Sequence, residues 1–303
     1  MGGMADTSAT FTAVDLSRLP APTVIEPLSF EDIYAEMLSS LQALVPGFDA
    51  TVESDPAVML LQVCAYRELM LRGRVNDAAK AVMPAFATGT DLDHLAALMS
   101  VARLQLSPGA PANDIPPTYE EDTALRARLV LAPEGFSVAG PEGAYIFHAR
   151  SADGDVLDAS ATSPAPGRVL VTVLSRAGDG TASPALLAKV AAHVSDETVR
   201  PLTDAVTVQS ATIVPYQIVA TLTTFSGPDD GIVLAEAQRR VEAYRDRQHR
   251  LGMDITRSGI IAALHAEGVQ NVALSFPAAD IAIDRTQAGW CTGITITYAG
   301  TGE

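Results

Sequence analysis

The chain has 303 residues, 48% of them hydrophobic and 18% charged, and its 36 acidic and 20 basic residues give a net charge of −16. This composition excludes an intrinsically disordered chain, which would need low hydrophobicity, and the length predicts about two domains. The negative charge repels polyanions on average, so nucleic acid is not an expected partner. No secretory signal or membrane-spanning run is recognisable, so we expect a soluble protein with no membrane partner.

The first part of the chain is predicted to be an arm followed by helices. Residues 1–28 are rich in Thr, Ala and Pro, which favours a flexible or extended arm. Residues 29–132 form a predicted helical region, and its first helix begins after Ser29. Its second helix begins after Asp55, a good N-cap, with a proline at the first helical position, where the missing N–H costs nothing.

This second helix is predicted to run from Pro56 to Met83, and at about 1.5 Å per residue it would be roughly 40 Å long. Its apolar positions alternate in spacing between four and three residues, as in a coiled-coil seam. The seam begins at Ala57, and its candidate interface residues are Leu61, Cys64, Glu68, Leu71, Val75, Ala78 and Val82. Glu68 is the polar member and would favour one register. Two interpretations stay open: a core helix within one chain, or a helix that also packs against other subunits.

Two shorter helices complete the predicted helical region. The first is capped by Thr90 or Asp91, and the second covers residues 119–131. Between them, residues 107–117 contain four prolines and are predicted to form a linker or an exposed loop.

Beyond Pro133, predicted strands alternate with predicted helices. We divide this part into a first α/β unit, 133–228, and a second, 229–303, each with a mixed or antiparallel sheet. The predicted fold class is therefore α+β, with an N-terminal helical region that contains one long helix.

Pro215 is predicted to separate two strands, because a proline cannot donate to a central ladder. Similar stretches, each a helix end followed by glycine, a strand and a proline corner, begin at His148 and His265. They indicate either an old duplication or a chance likeness.

Residues typical of catalysis are present without a catalytic pattern. None of the five histidines belongs to an HExxH motif, and neither a GxSxG elbow nor a phosphate loop occurs. Three acidic pairs are expected to complement helix N-termini: Asp91/Asp93, Glu120/Glu121 and Asp229/Asp230. Cys64 and Cys291 lie outside any metal motif and are expected to be buried, inert thiols, although a disulfide between them stays possible. We therefore predict no catalytic, cofactor or metal site and no small-molecule substrate.

The order of several sequence strings resembles the baseplate assembly protein J family of temperate contractile-tailed phages. Six strings carry this resemblance: LPAPTVIE from Leu19, ESDP from Glu53, RVNDAAKAVM from Arg74, GFSVAGPEGAY from Gly135, LSRAGDGT from Leu174 and DRTQA from Asp284. None of them is a chemical motif, and it is their combined order along nearly the whole chain that makes the resemblance specific.

The resemblance implies a structural, non-enzymatic subunit of the tail baseplate in the virion, assembled in the host cytoplasm. Such a subunit belongs to the wedge layer, where helices of two copies join those of a second wedge protein in a bundle. Further copies would close a ring with sixfold symmetry, next to the central hub or sheath-proximal baseplate proteins. The ring would rearrange on host contact and trigger sheath contraction.

Three other interpretations stay open. The same architecture would suit a phage-derived bacteriocin or another contractile injection system. A tail-associated hydrolase would need an acid pair or a metal site. A cytoplasmic regulator or carrier would bind a single partner.

Overall fold

The computed structural model describes residues 16, 19–20, 22–49, 52, 54–227 and 229–302. Its internal contacts separate the described residues up to Ala102 from those that begin at Arg103. Most of the predicted N-terminal arm, namely residues 1–15, 17, 18 and 21, lies outside the described residues.

The first unit consists of three helices: α1 (Phe30–Leu44), α2 (Pro56–Ala81) and α3 (Gly89–Ala97). Two predicted N-caps are confirmed, because the Ser29 side chain accepts a hydrogen bond from the Asp32 backbone and the Asp55 side chain accepts one from the Ala57 backbone. The predicted start of α3 at Thr90 or Asp91 is wrong. Both residues lie inside this helix, whose N-cap Thr88 makes no side-chain capping bond.

A small ribbon and two helices follow. The antiparallel strands β1 (Gln105–Ser107) and β2 (Thr118–Tyr119) flank the proline-rich segment that was expected to be a loop. Helix α4 (Asp122–Gly135) packs on α5 (Glu142–Ala152) within the second unit. The predicted boundary at residue 132 therefore falls inside α4, and the four-part division of the chain stays a prediction.

The first sheet has the strand order β3-β4-β5. Strands β3 (Val156–Ala165) and β4 (Arg168–Ser175) are antiparallel, whereas β4 and β5 (Ala205–Ser210) are parallel. Helix α6 (Pro184–Val194) connects the parallel pair. The core beneath this sheet is aliphatic and includes Ile146, Val171, Val173, Leu186 and Val190.

The second sheet has the strand order β7-β6-β8. Strand β6 (Thr212–Phe225) lies in the centre, antiparallel to β7 (Val269–Phe276) and parallel to β8 (Gln287–Gly302). Helices α7 (Asp230–Gln248) and α8 (Arg257–Leu264) cover it. The core includes Ile218, Leu222, Val241 and Ile260. Two mixed sheets after a helical region confirm the predicted α+β class.

Pro215 does not separate two strands, which corrects the prediction. It lies inside β6 and is paired with Trp290 of β8. The pairing of β6 with β7 begins only at Val219, so β6 has a strand neighbour on one side alone at Pro215. A proline is tolerated at such a position, because a strand with a neighbour on one side only does not need backbone N–H donors on both of its edges.

The two similar sequence stretches occupy similar local structures. His148 lies in α5, which leads into β3, and His265 caps α8, which leads into β7. The sheets around them are built in a different order, because the central strand β4 follows β3 in the chain whereas the central strand β6 precedes β7. The likeness therefore covers a helix–strand unit and not a whole sheet.

Candidate functional site

Helix α2 is held in its unit by one narrow face. The buried residues of this 26-residue helix are Val58, Ala65 and Asn76, and the helix packs on α1. These positions follow the predicted seam positions 57, 64 and 75 by one residue each. The face that packs inside the unit is therefore turned by about 100° from the predicted seam.

Polar contacts fix the same face to the segment that precedes α1. The Asn76 side chain donates a hydrogen bond to the Glu26 carbonyl at 2.9 Å and accepts one from the Glu26 N–H at 3.1 Å. Arg72 donates to the Glu68 carboxylate at 2.5 Å and lies 3.9 Å from the Glu26 carboxylate. These contacts leave the opposite side of α2 uncovered.

The uncovered side carries most of the predicted seam. Leu71, Val75 and Val82 have exposed fractions of 66%, 63% and 68%. Together with nearby exposed residues they form what we call the first stripe: Leu60, Cys64, Leu71, Val75, Ala78 and Val82. The predicted interface residues in this stripe thus lie on one exposed line of the helix.

Leu61 and Glu68, the other two predicted interface residues, are only partly buried and turn towards α1. They lie in an open groove between α1 and α2. The groove is lined by Ile33, Glu36, Met37, Ser40, Leu41, Leu44, Leu61, Glu68 and Arg72. The Glu68 carboxylate is already engaged by Arg72 of the same helix.

A second apolar line on α2 was not predicted from the sequence. It consists of Met59, Val63, Tyr66 and Met70, all of them exposed, and we call it the second stripe. Phe30 of α1 joins Met59, Val63 and Tyr66 around a shallow groove. The exposed residues Arg67 and Arg74 lie between the two stripes on the helical wheel. The spacing of four, three and four residues in this stripe could have revealed it.

The two cysteines are free thiols. Cys64 is exposed in the first stripe, so its predicted burial is wrong, and Cys291 is partly buried. Cys64 was expected in a core because its neighbours are apolar, but those neighbours are themselves exposed.

The acidic pairs have different environments. Asp229 caps α7 by accepting from the backbones of Gly231 and Ile232 at 2.8 and 3.2 Å, as predicted. Glu120 does not act as a helix cap, which corrects the prediction. Its carboxylate is buried and ion-paired with Arg128, which is buried too, and it also accepts the Leu104 N–H at 3.0 Å.

The described part of the chain contains no group of three or more His, Cys, Asp and Glu side chains placed to hold a metal ion. Within the same residues, none of the helices combines the length and apolar character that a membrane crossing requires.

Comparisons with known proteins match three successive parts of the chain. The Baseplate J-like N-terminal domain matches residues 53–110, the Baseplate J-like central domain residues 137–210, and the Baseplate J-like protein C-terminal domain residues 216–297. Helix α2 lies within the first of these matches.

Two individual proteins are similar to this chain. Baseplate protein J of Escherichia phage P2 is 50% identical over 300 residues, which cover 96% of this chain and 99% of that protein. Part of the chain also resembles a chain in the 6-fold symmetrised cryo-EM structure of the anti-feeding prophage (AFP) baseplate, with 16% identity and a TM-score of 0.39. That match covers 60% of this chain and 44% of the other.

The three domain matches follow one another in the family's N-terminal, central and C-terminal order, and the similarity to the phage P2 protein covers nearly all of both chains. The chain therefore belongs to the baseplate J family and is a structural subunit of the tail baseplate of the virion.

Proposed function

We propose that this baseplate protein is a wedge subunit, and that α2 is the helix through which it joins a second wedge protein. The observation that carries the proposal is the pair of exposed apolar stripes on a helix whose third face is anchored in its own unit. The role we propose is structural and not enzymatic.

Burial of the exposed apolar side chains of α2 against a partner would be energetically favourable. Burying a Val, Leu or Met side chain stabilises a protein by about 1.5–3 kcal/mol relative to leaving it in water. The two stripes together expose several such side chains on one helix. Contiguous apolar surface of this kind is unusual on a monomer and is typical of an interaction site. A partner that covers both stripes would therefore gain substantial hydrophobic stabilisation.

The pattern of the stripes favours helices as the covering elements. Residues repeat along each stripe at intervals of three, four or seven, which is the spacing that knobs-into-holes packing uses. A helix in a three-helix bundle has two helical neighbours, and α2 offers one stripe to each of them. We assign one stripe to the second wedge protein and the other to a further copy of this chain.

The elements after residue 103 would then form the contacts that build the ring. In this proposal, the α/β part makes the contacts between neighbouring wedges that close a ring of sixfold symmetry, and it faces the hub or sheath-proximal proteins. A ring is the expected product of head-to-tail contacts between identical subunits when the rotation closes.

The test is to replace Leu71 and Val75 together by aspartate and to express the variant with the neighbouring tail proteins. We expect the variant to fold, because both side chains are exposed, and to lose co-purification of the second wedge protein. Leu202→Asp is the matched control, since Leu202 is 86% exposed and lies outside α2. Normal recovery of the complex with the double variant, at an unchanged circular dichroism spectrum, would refute the role of the first stripe.

The second stripe is tested separately with Val63→Asp combined with Met70→Asp. If each stripe holds a different helix, this variant loses a different component from the one that the Leu71/Val75 variant loses. The subunit masses in the purified complexes distinguish the two losses. Identical losses from both variants would contradict the assignment of one stripe to each neighbour.

A further inference from the structure

Strand β8 of the second sheet has an open edge. Among the described residues, the stretch Gly293–Tyr298 pairs with Gln217–Leu222 of β6 in unbroken register and with no other strand. An edge strand presents a row of unpaired N–H and C=O groups, which can serve as the template for a further strand. We call Gly293–Tyr298 the edge stretch.

The edge stretch carries none of the features that usually protect a sheet edge, which are charged side chains, prolines and bulges. It contains neither a charged residue nor a proline, and its register with β6 does not shift. The opposite edge of the same sheet, β7, is different. There the Arg257 guanidinium donates to the Leu274 carbonyl at 3.0 Å and also to the Pro277 carbonyl. The edge stretch is therefore the more accessible place to extend this sheet.

The side chains of the edge stretch define what an added strand should look like. Ile294 and Ile296 pack against the core of the second sheet but are only partly buried. Thr295 and Thr297 alternate with them and are exposed. Neighbouring strands pack best when their side chains match across each face of the sheet. An added strand should therefore alternate apolar residues, beside the isoleucines, with β-branched residues, beside the threonines.

A segment of this chain that lies outside the described residues has this pattern. Residues 9–14 belong to the predicted arm and contain no charged residue, no proline and no glycine. Apolar residues alternate in it with β-branched residues, in the order Ala9, Thr10, Phe11, Thr12, Ala13 and Val14. Aromatic and β-branched residues are those that favour strands. The segment therefore matches the edge stretch both in its length of six residues and in its alternation.

We propose that residues 9–14 add to the edge stretch of their own chain as a fourth strand of the second sheet. Main-chain hydrogen bonds to the unpaired edge groups would hold the strand, and its alternate side chains would fix the register. Phe11 would cover the exposed remainder of Ile294 and Ile296. A segment of the same chain is favoured over a strand of another molecule, because its tether raises its effective concentration. The proposal involves neither α2 nor a second wedge protein.

The test is the rate of amide hydrogen exchange in the edge stretch of the isolated full chain. Thr12→Pro removes a backbone donor from the middle of the segment, and Phe11→Asp places a charge on its apolar side. In both variants we expect exchange in the edge stretch to accelerate by about tenfold or more. Thr7→Pro is the matched control, because Thr7 precedes the segment, and it should exchange like the unmodified chain. The amides of β7 should exchange equally in all of these proteins.

Three results would overturn the proposal. They are fast exchange throughout the edge stretch of the unmodified chain, equal exchange in the unmodified chain and Thr12→Pro, and protection that rises with the concentration of the chain. The last result would assign the added strand to a second copy. Protection that is independent of concentration and lost in both segment variants would support the proposal. Because the measurement uses the isolated chain and residues outside α2, its failure would leave the helix-bundle role of the stripes untouched.

Discussion

The side chain of Asn76 pairs with the backbone of Glu26 in the way that two neighbouring strands pair with each other. Its amide donates to the Glu26 carbonyl at 2.9 Å, and its carbonyl oxygen accepts the Glu26 N–H at 3.1 Å. The pair joins residues that are 50 positions apart and holds the segment before α1 against α2. It also explains why a polar residue is found on the buried face of α2, since both of its hydrogen-bonding groups are satisfied.

The first prediction concerns this pair. Asn76→Ala should lower the free energy of unfolding by about 1–2 kcal/mol, because two hydrogen bonds of a buried amide are lost. Asp77→Ala is the neighbouring exposed control and should stay within about 0.5 kcal/mol. Hydrogen exchange of residues 22–28 localises the effect. Unchanged exchange in that segment would show that the pair does not anchor it.

The second prediction concerns the buried ion pair of Glu120 and Arg128, whose side chains are only 1% and 5% exposed. Arg128→Met should destabilise the protein by about 3–5 kcal/mol, because it leaves a buried carboxylate without its counterion. Arg239→Gln breaks the exposed pair with Glu236 and should leave the free energy of unfolding nearly unchanged, because solvent screens this pair. Urea unfolding measures both costs.

A double variant distinguishes the interaction between Glu120 and Arg128 from the contacts that each side chain makes with its surroundings. Glu120→Gln combined with Arg128→Met removes both charges, so it should be less destabilised than the sum of the two single variants. Strict additivity of the two effects would show that the two side chains do not interact.

The third prediction is a pH dependence that arises from His148. Burial lowers the pKa of this ring below its usual 6.5, so the unfolded chain binds the proton more readily than the folded protein does. Its contribution to stability is complete above about pH 6.5 and declines as the pH falls from there through the lowered pKa of the folded state. His148→Gln should therefore reduce the fall in melting temperature between about pH 7.5 and 5.5.

The exposed residue His94 of α3 provides the control for this experiment. His94→Gln should keep the pH dependence of the unmodified protein, because it removes a histidine but leaves the buried ring of His148 in place. If His148→Gln and the unmodified protein melted in parallel over this pH range, burial of the His148 ring would not contribute to the pH response.

The fourth prediction compares the two thiols. Burial raises the pKa of Cys291, and its Sγ donates to the Gly293 carbonyl at 3.3 Å, so little thiolate is present at neutral pH. Cys64 is free and exposed. In the isolated chain, Cys64 should react with a thiol reagent faster than Cys291 by about tenfold or more, since the thiolate is the reactive form. The variant Cys64→Ser should retain only the slow reaction.

Local signals in the sequence predicted much of the fold. The predicted caps Ser29 and Asp55 each accept a hydrogen bond from the first turn of the helix they precede. These motifs involve residues that are close together in the chain, so their hydrogen bonds can be predicted without knowledge of the fold. The long helix and the alternation of strands with helices follow from the same kind of local pattern.

The packing of α2 was harder to predict, because α2 carries apolar residues on nearly every side. Apolar spacing predicted the seam. The face that is buried inside the unit contains the polar residue Asn76, whose partner Glu26 lies far away in the chain. The sequence therefore indicated the exposed stripe that includes Leu71 and Val75, but not that a different face makes the internal contacts.

Two further features escaped prediction because they depend on distant neighbours. Whether Pro215 interrupts a sheet depends on where β7 begins to pair, which the sequence does not reveal. The burial of Glu120 depends on Arg128 and on the Leu104 backbone around it. An acidic residue before a helix looks the same in sequence whether it faces solvent or a buried arginine.

The most direct test of the central claim, that α2 is covered by other baseplate subunits, is the labelling rate of Cys64 in a Cys291→Ser background. The rate is measured for the isolated chain and for the complex purified with the neighbouring tail proteins. Coverage of the first stripe predicts that labelling slows by about tenfold or more in the complex. An equal labelling rate in the isolated chain and in the assembled complex would contradict the claim.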